Sequence, residues 1–323
     1  MAKPRVLLTR EWPATVEARM AEMFDITPNR ADNPLALADF RGAFAHYDAV
    51  LTTVTDSLPF TAFDLPKART RILANYGVGF SHIDTAAAMQ HGMVVTNTPD
   101  ALSECTADLA MTLLLMVARR AGEGERELRA GLWTGWRPTH MIGTKVSGAT
   151  LGIVGFGRID QAMAARAHHG FGMKILVHNR SAVAPEVLAR FGAVQVVELD
   201  ELLPQCNFFS LHCPGGTANR HLINARRLAL MRPNAFLINT ARGEVVDEHA
   251  LAQALWFDTI GGAALDVFER EPRISDELLG ADNLVMLPHL GSATAETREA
   301  MGFRALANLV DFFEGRAPRD RVA

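Results

Sequence analysis

The amino-acid sequence predicts an α/β protein of two domains, each built on a mostly parallel β-sheet with covering helices. Three observations carry this expectation. The chain has 323 residues, enough for two cores of ordinary size. Short β-rich runs bounded by turn residues alternate with longer helical stretches, the pattern of repeated βαβ units. The series also breaks once, at a long apolar helix and a Gly- and Trp-containing stretch, and then begins again.

In chain order, PRVLLT, DAVLTTV, RILANYG and MVVTNTP read as the first set of strands. After Thr98, Pro99 and Asp100 the texture changes: residues 101–120 are nearly all apolar apart from their ends, as expected of a buried or interface helix. GLWTGWRPTHMIG then reads as a connection, in which Trp133 and Trp136 are expected to pack, line a site or meet another subunit. The second set of strands is TLGIVGFG, KILVHNR, VQVVEL, FFSLHCP, AFLINTARG, GGAALDVF and LVMLPHL. A last helix over residues 294–314 places Met301, Leu306, Val310 and Phe313 at helical spacing. Gly315 follows as its C-terminal cap, with Pro318 just beyond. Pattern alone leaves open which domain this helix joins.

Composition narrows the function classes. The net charge is −4 and no basic block is present, which argues against a nucleic-acid partner. Cys105, Cys206 and Cys213 show neither a disulfide framework nor metal-ligand spacing, so reduced thiols, a cytoplasmic protein and no metal are expected. The N-terminal MAKPRVLLTREWP lacks the h-region of a signal peptide. The longest apolar stretch, residues 109–118, is too short to span a bilayer, so no membrane partner is expected.

The chemistry begins at GFGRID, residues 155–160. A β-rich run, a glycine turn and a helical continuation form the context in which a dinucleotide fingerprint has meaning. Gly155 permits the turn and Gly157 lets backbone approach a pyrophosphate. With Phe156, Arg158 and Ile159 they form the expected phosphate-binding segment at a helix N-terminus. The next strand ends in Asn179, Arg180 and Ser181, where an NAD site would place an acid for the ribose hydroxyl. A guanidinium there suits a 2′-phosphate, so NADP(H) is the expected cofactor and NAD(H) the alternative. Asp160 stands where a third glycine would be expected. A charge ~6 Å from a phosphate costs about 2–3 kcal/mol at an effective dielectric of ~20. That would weaken the cofactor roughly a hundredfold unless the carboxylate turns away.

With GFGRI, INTARGEVVDE, ALDVFEREP and LPHLGSAT in this order, together with NYGVGFSHID and VVTNTPDALSECTADLA, the chain resembles the D-isomer-specific 2-hydroxyacid dehydrogenases. Within them it is most similar to the glyoxylate/hydroxypyruvate reductases. The resemblance implies a Rossmann dinucleotide-binding domain, residues 100–292, inserted in a flavodoxin-like substrate domain, residues 1–99 plus 293–323, with the active site in the cleft. It implies reduction of glyoxylate or hydroxypyruvate to the D-2-hydroxyacid, with Arg242, Glu271 and His289 as the catalytic set. Arg242 would hold the substrate, His289 would supply the proton, and Glu271 would hold the imidazole. Alone, each has a plainer reading, as a surface charge, a solvated turn or a capped loop histidine; together they favour catalysis. Val78 and Gly79 would receive the substrate carboxylate, with Ser292 at the pocket rim. Cys213, Pro214, Thr240 and Asp266 would complete the cofactor site. A homodimer through residues 101–120 is implied as well.

Two further departures from the family pattern carry expected costs. Asp258 stands at a helix-to-strand turn where glycine is usual, and Asn207 where aspartate is common, with loss of a cap or turn interaction expected. The competing expectations are an NADH-dependent dehydrogenase of other substrate range, or a nucleotide-sensing binding protein of the same fold with impaired catalysis.

Overall fold

The computed structural model describes residues 2–323. The chain divides into two compact units, Met1–Leu102 with Ala293–Ala323, and Ser103–Ser292.

The first unit is built on five parallel strands, β1 (Arg5–Leu8), β2 (Asp25–Pro28), β3 (Ala49–Thr53), β4 (Ile72–Tyr76) and β5 (Val94–Thr96). They lie in the order β2-β1-β3-β4-β5, the flavodoxin-like arrangement. Alternate residues feed two cores, as a sheet covered on both faces requires. Val6, Leu8, Leu51 and Ile72 join Val16, Met20, Leu306 and Leu309 on one face. Val50 and Leu73 join Phe40, Phe44 and Phe63 on the other. The terminal helix Ala295–Phe313 belongs to this unit, its N-terminus capped by Thr294 and its end closed at Gly315 (φ 79°). Gly302 lets it approach the helix Ala14–Met23, since a Cβ there would meet Val16 at 2.7 Å.

β2 was not expected. Its DITP contributes Ile26 alone to the core and closes on a proline, which an edge strand tolerates.

The second unit holds seven strands: β6 (Thr150–Val154), β7 (Lys174–His178), β8 (Ala193–Gln195), β9 (Phe208–Leu211), β10 (Phe236–Asn239), β11 (Gly262–Leu265) and β12 (Leu284–Met286). Their order is β12-β11-β10-β9-β6-β7-β8, the doubly wound Rossmann arrangement extended by one strand. The apolar run expected over residues 101–120 forms the helix Ser103–Ala118. Ala107, Ala110, Leu113, Leu114 and Val117 are buried against Ile238, Ala264 and Phe236 of the same unit. Its hydrophobicity is therefore accounted for without a second subunit. Large exposed apolar side chains lie instead on the segment that follows, at Leu128, Leu132, Trp133, Trp136 and Ile142. No helix among the described residues is long and apolar enough to cross a membrane.

The two expected defects resolve differently. Asp258 does sit in the left-handed region (φ 51°), where a non-glycine residue costs about 1 kcal/mol. Asn207 loses nothing: its Oδ1 accepts from the Thr150 amide at 3.0 Å, so the amide side chain supplies the acceptor an aspartate would. That bond ties the start of β6 to the start of β9.

Candidate functional site

Every chemical residue singled out in the second unit follows the C-terminal end of a strand, where open α/β sheets hold their ligands. The phosphate segment leaves β6, Asn179 to Ser181 leave β7, and Cys213 and Pro214 leave β9. Thr240 and Arg242 leave β10, Asp266 and Glu271 leave β11, and His289 leaves β12.

At the turn, Gly155 has φ 106° and its amide donates to the His178 carbonyl at 2.8 Å, joining the turn to β7. The helix Arg158–Ala165 opens directly after Gly157, so its first amides face the space a pyrophosphate would take. Asp160 lies folded against the turn itself. It is 4% exposed, and its Oδ2 accepts from the Gly157 amide at 2.8 Å, as in a helix-capping box. Its Oδ1 lies under Gly155, where a Cβ would come within 2.7 Å of it. Positive φ and the carboxyl beneath thus both require glycine at 155. Burial pushes the Asp160 carboxyl up to about 7, against the opposing pull of its own amide and that of Gly157.

Beside the turn, Asn179 donates to the Ser181 carbonyl at 3.0 Å and its hydroxyl at 3.2 Å, forming a tight polar corner. Arg180 is exposed on that corner and has no ion-pair partner among the described residues. The backbone and polar corner fit a dinucleotide, and the loose guanidinium fits a second phosphate.

Two residues that sequence reading passed over brace this floor. His212 lies between the Ser210 hydroxyl (2.8 Å) and the Thr240 hydroxyl (3.3 Å), which fixes Thr240 beside Cys213 and Pro214. Burial pushes His212 down to about 4, so it is neutral near pH 7. Asn239 shapes the next loop, accepting from the Ala241 amide and donating to the Arg242 carbonyl, each at 3.0 Å. HCP and NT were the available signals. Cys213 is an inert thiol, pushed up to about 12 by burial and by the neighbouring Asp160.

The catalytic candidates converge. His289 Nδ1 lies 2.8 Å from Glu271 Oε2, and Glu271 Oε1 accepts from the Phe268 amide at 3.0 Å. Burial alone would raise the Glu271 carboxyl. The hydrogen bond and charge of His289, the Phe268 amide and the Arg242 guanidinium instead hold it below its ordinary value. His289 has φ 55°, and Asp266 explains how that conformation is held: its carboxylate accepts from the Leu290 amide at 2.6 Å and the Gly291 amide at 2.8 Å. The His289 amide in turn donates to the Asp266 carbonyl at 2.9 Å. Burial raises the Asp266 carboxyl against those amides. Asp266 thus braces the histidine loop, a role the sequence did not suggest.

Burial pushes the Arg242 guanidinium below its ordinary pKa, while Glu271 and Glu244 oppose that shift. Its Nη1 donates to the Ala241 carbonyl at 2.7 Å. Gly243 behind it touches the other catalytic loop directly, because a Cβ there would fall 1.9 Å from the Phe268 carbonyl carbon. The Glu269 amide is held by Glu248 Oε1 at 2.6 Å. Ser292 closes this unit just beyond the Gly291 amide.

Val78 and Gly79 belong to the first unit, on the loop after β4. Asn97 Nδ2 holds the Val78 carbonyl at 2.8 Å, and Asn75 Nδ2 holds those of Gly77 (3.1 Å) and Gly79 (3.0 Å). With these three carbonyls tied back, the amides of Val78 and Gly79 have no protein acceptor among the described residues.

The family description "D-isomer specific 2-hydroxyacid dehydrogenase, NAD binding domain" matches residues 111–291. A glyoxylate reductase of Thermococcus onnurineus is 42% identical over 320 residues, covering 98% of this chain and 95% of its own. The crystal structure of an NADPH-dependent glyoxylate/hydroxypyruvate reductase from Sinorhizobium meliloti, in complex with NADP and malonate, superposes with a TM-score of 0.85. It shares 35% identity and covers 100% of this chain and 97% of that one. A glyoxylate reductase from Paecilomyes thermophila gives the same TM-score at 30% identity, covering 100% and 99%.

Proposed function

Because the chain belongs to the D-isomer-specific 2-hydroxyacid dehydrogenases and is of the glyoxylate reductase type, we propose that it reduces glyoxylate or hydroxypyruvate to the D-2-hydroxyacid with NADPH preferred over NADH. The observation that carries the reading is the His289–Glu271 pair at 2.8 Å, beside Arg242, at the strand ends of a Rossmann sheet.

A bound nicotinamide would supply the hydride; the chain's own residues manage charge and the proton. Glu271 engages Nδ1 of His289, which leaves the other ring nitrogen to donate a proton to the ketone oxygen. Asp266 and Glu271 fix that ring from two sides, backbone and side chain. Arg242 offers a fork suited to a substrate carboxylate and carbonyl. On the first unit, the amides of Val78 and Gly79 are suited to receive a carboxylate. Ser292 lies at the rim of the pocket. In the reverse direction His289 accepts the proton.

The turn from Gly155 through Phe156, Gly157, Arg158 and Ile159 would hold the pyrophosphate, with Asn179, Arg180 and Ser181 toward the ribose phosphate. Cys213, Pro214, Thr240 and Asp266 would hold the nicotinamide end. NADPH is expected to bind at least tenfold more tightly than NADH, read by quenching of tryptophan fluorescence. Arg180→Ala should abolish most of that difference, as loss of about one charge-assisted contact would. Equal binding of the two nucleotides, or tighter NADH, would remove the NADP(H) assignment.

A homodimer is part of the same proposal. The only large apolar side chains the helix Ser103–Ala118 can offer it are the half-exposed Leu109, Leu115 and Met116, so the mostly exposed residues 128–142 carry more of the contact. Light scattering should return twice the 35.2 kDa chain mass, and a monomer at micromolar concentration would dismiss it.

A further inference from the structure

The helix at the nucleotide turn begins on a carboxyl group that no cation neutralises. Asp160 Oδ2 caps the Gly157 amide, while Oδ1 is fully buried and has no hydrogen-bond partner among the described residues. The surrounding elements offer it little. On its own helix Arg158 stands two residues earlier; from the end of β7 comes His178, whose carbonyl takes the Gly155 amide. The loop after β9 presents the un-ionised Cys213 thiol. The packed helix Ser103–Ala118 carries Cys105, Glu104 and Asp108, and both carboxylates are ion-paired to Arg166, at 2.8 and 2.6 Å. No cationic side chain among the described residues forms an ion pair with Asp160.

A dinucleotide pyrophosphate seeks the same helix end that stabilises the Asp160 charge. Two anions at one N-terminus repel each other across a poorly solvated gap. A proton on Oδ1 removes the conflict without cost to the turn, because Oδ2 can still accept from Gly157.

We propose that Asp160 is a cofactor-positioning residue that takes up a proton when the dinucleotide binds. Neutral, it shapes the glycine turn; ionised, it opposes the phosphates. The inference rests on the NAD(P) reading above. A carboxyl already raised to about 7 in the free protein is poised for this exchange. The sign follows from linkage: the phosphates raise the carboxyl further, so binding takes up protons between the free and bound pKa values. Affinity is then highest below the free value and declines as pH rises through it, by roughly 10–100-fold in total.

Calorimetric titration with NADH tests this, since NADH lacks the 2′-phosphate that itself titrates. Titrations in Pipes, Hepes and Tris at one pH, slightly above neutrality, give the proton count from the dependence of apparent enthalpy on buffer ionisation enthalpy. The expected result is net uptake of a substantial fraction of a proton in the native chain, absent in Asp160→Asn and in Asp160→Gly. The free protein gives a second readout. Its thermal midpoint should fall relative to Asp160→Asn as pH rises from 5 to 8, because the ionised carboxyl is disfavoured only in the folded chain. NADH binding with equal proton uptake in the native chain and both variants would overturn the inference and leave the enzyme reading intact. Failure of both nucleotides to bind a folded protein at any pH would overturn that reading, and the inference with it.

Discussion

Replacing His289 with asparagine is expected to lower kcat for 2-oxoacid reduction by about 10²–10⁴-fold, the usual contribution of a positioned general acid. Asparagine is the informative replacement because residue 289 sits at φ 55°, a conformation asparagine adopts with little strain. The backbone brace from Asp266 to the Leu290 and Gly291 amides should therefore survive, and with it the fold. Nucleotide affinity should change little, since the phosphate turn is held by separate contacts at Gly155 and Gly157. Steady-state kinetics with glyoxylate, alongside direct NADPH binding, separate the two effects. A kcat within a few-fold of native would show that another group delivers the proton.

Removal of the Arg242 side chain in Arg242→Ala should reduce kcat/KM by about 10²–10³-fold, the equivalent of two charge-assisted hydrogen bonds. The guanidinium also has a structural duty, because Glu271 and Glu244 lie close enough to raise its pKa against burial. Leaving those carboxylates without their cation would cost stability as well. Arg242→Lys separates the roles: it restores a cation for Glu271 and Glu244 without the planar fork. The lysine variant should recover thermal stability and remain well below native in kcat/KM. Near-native kinetics for the lysine variant would mean that Arg242 supplies charge and not a bidentate grip.

The sheets, and the edge at which the candidate residues gather, were legible because several independent signals coincided. Buried parallel strands are apolar on both faces, so TLGIV and AFLIN stand out from their surroundings. Residues that follow such strands fall at one edge of the sheet whatever the details of packing. β2 escaped because an exposed edge strand needs only one apolar residue, and DITP has only Ile26. The direction of the Asp160 side chain escaped for another reason. A carboxylate three residues into a helix can face solvent or turn back onto the preceding amide, and burial decides between them. The same holds for Asn207, where an acceptor is needed and the charge is not. The long apolar helix was ambiguous because its composition is equally suited to a core and to a subunit contact; its buried residues are consumed by β10, β11 and the helix behind the glycine turn.

The absence of a side chain at Gly243 has a mechanical consequence. Its Cα rests against the peptide between Phe268 and Glu269, so the loops that carry Arg242 and Glu271 touch main chain to main chain. The backbones that carry Arg242 and Glu271 are thus in contact near these residues, with no side chain between them at that point. Close packing of this kind is expected to make a displacement of one loop push on the other. On the proposed reading, a substrate held by Arg242 would then stay in register with the proton carried by His289.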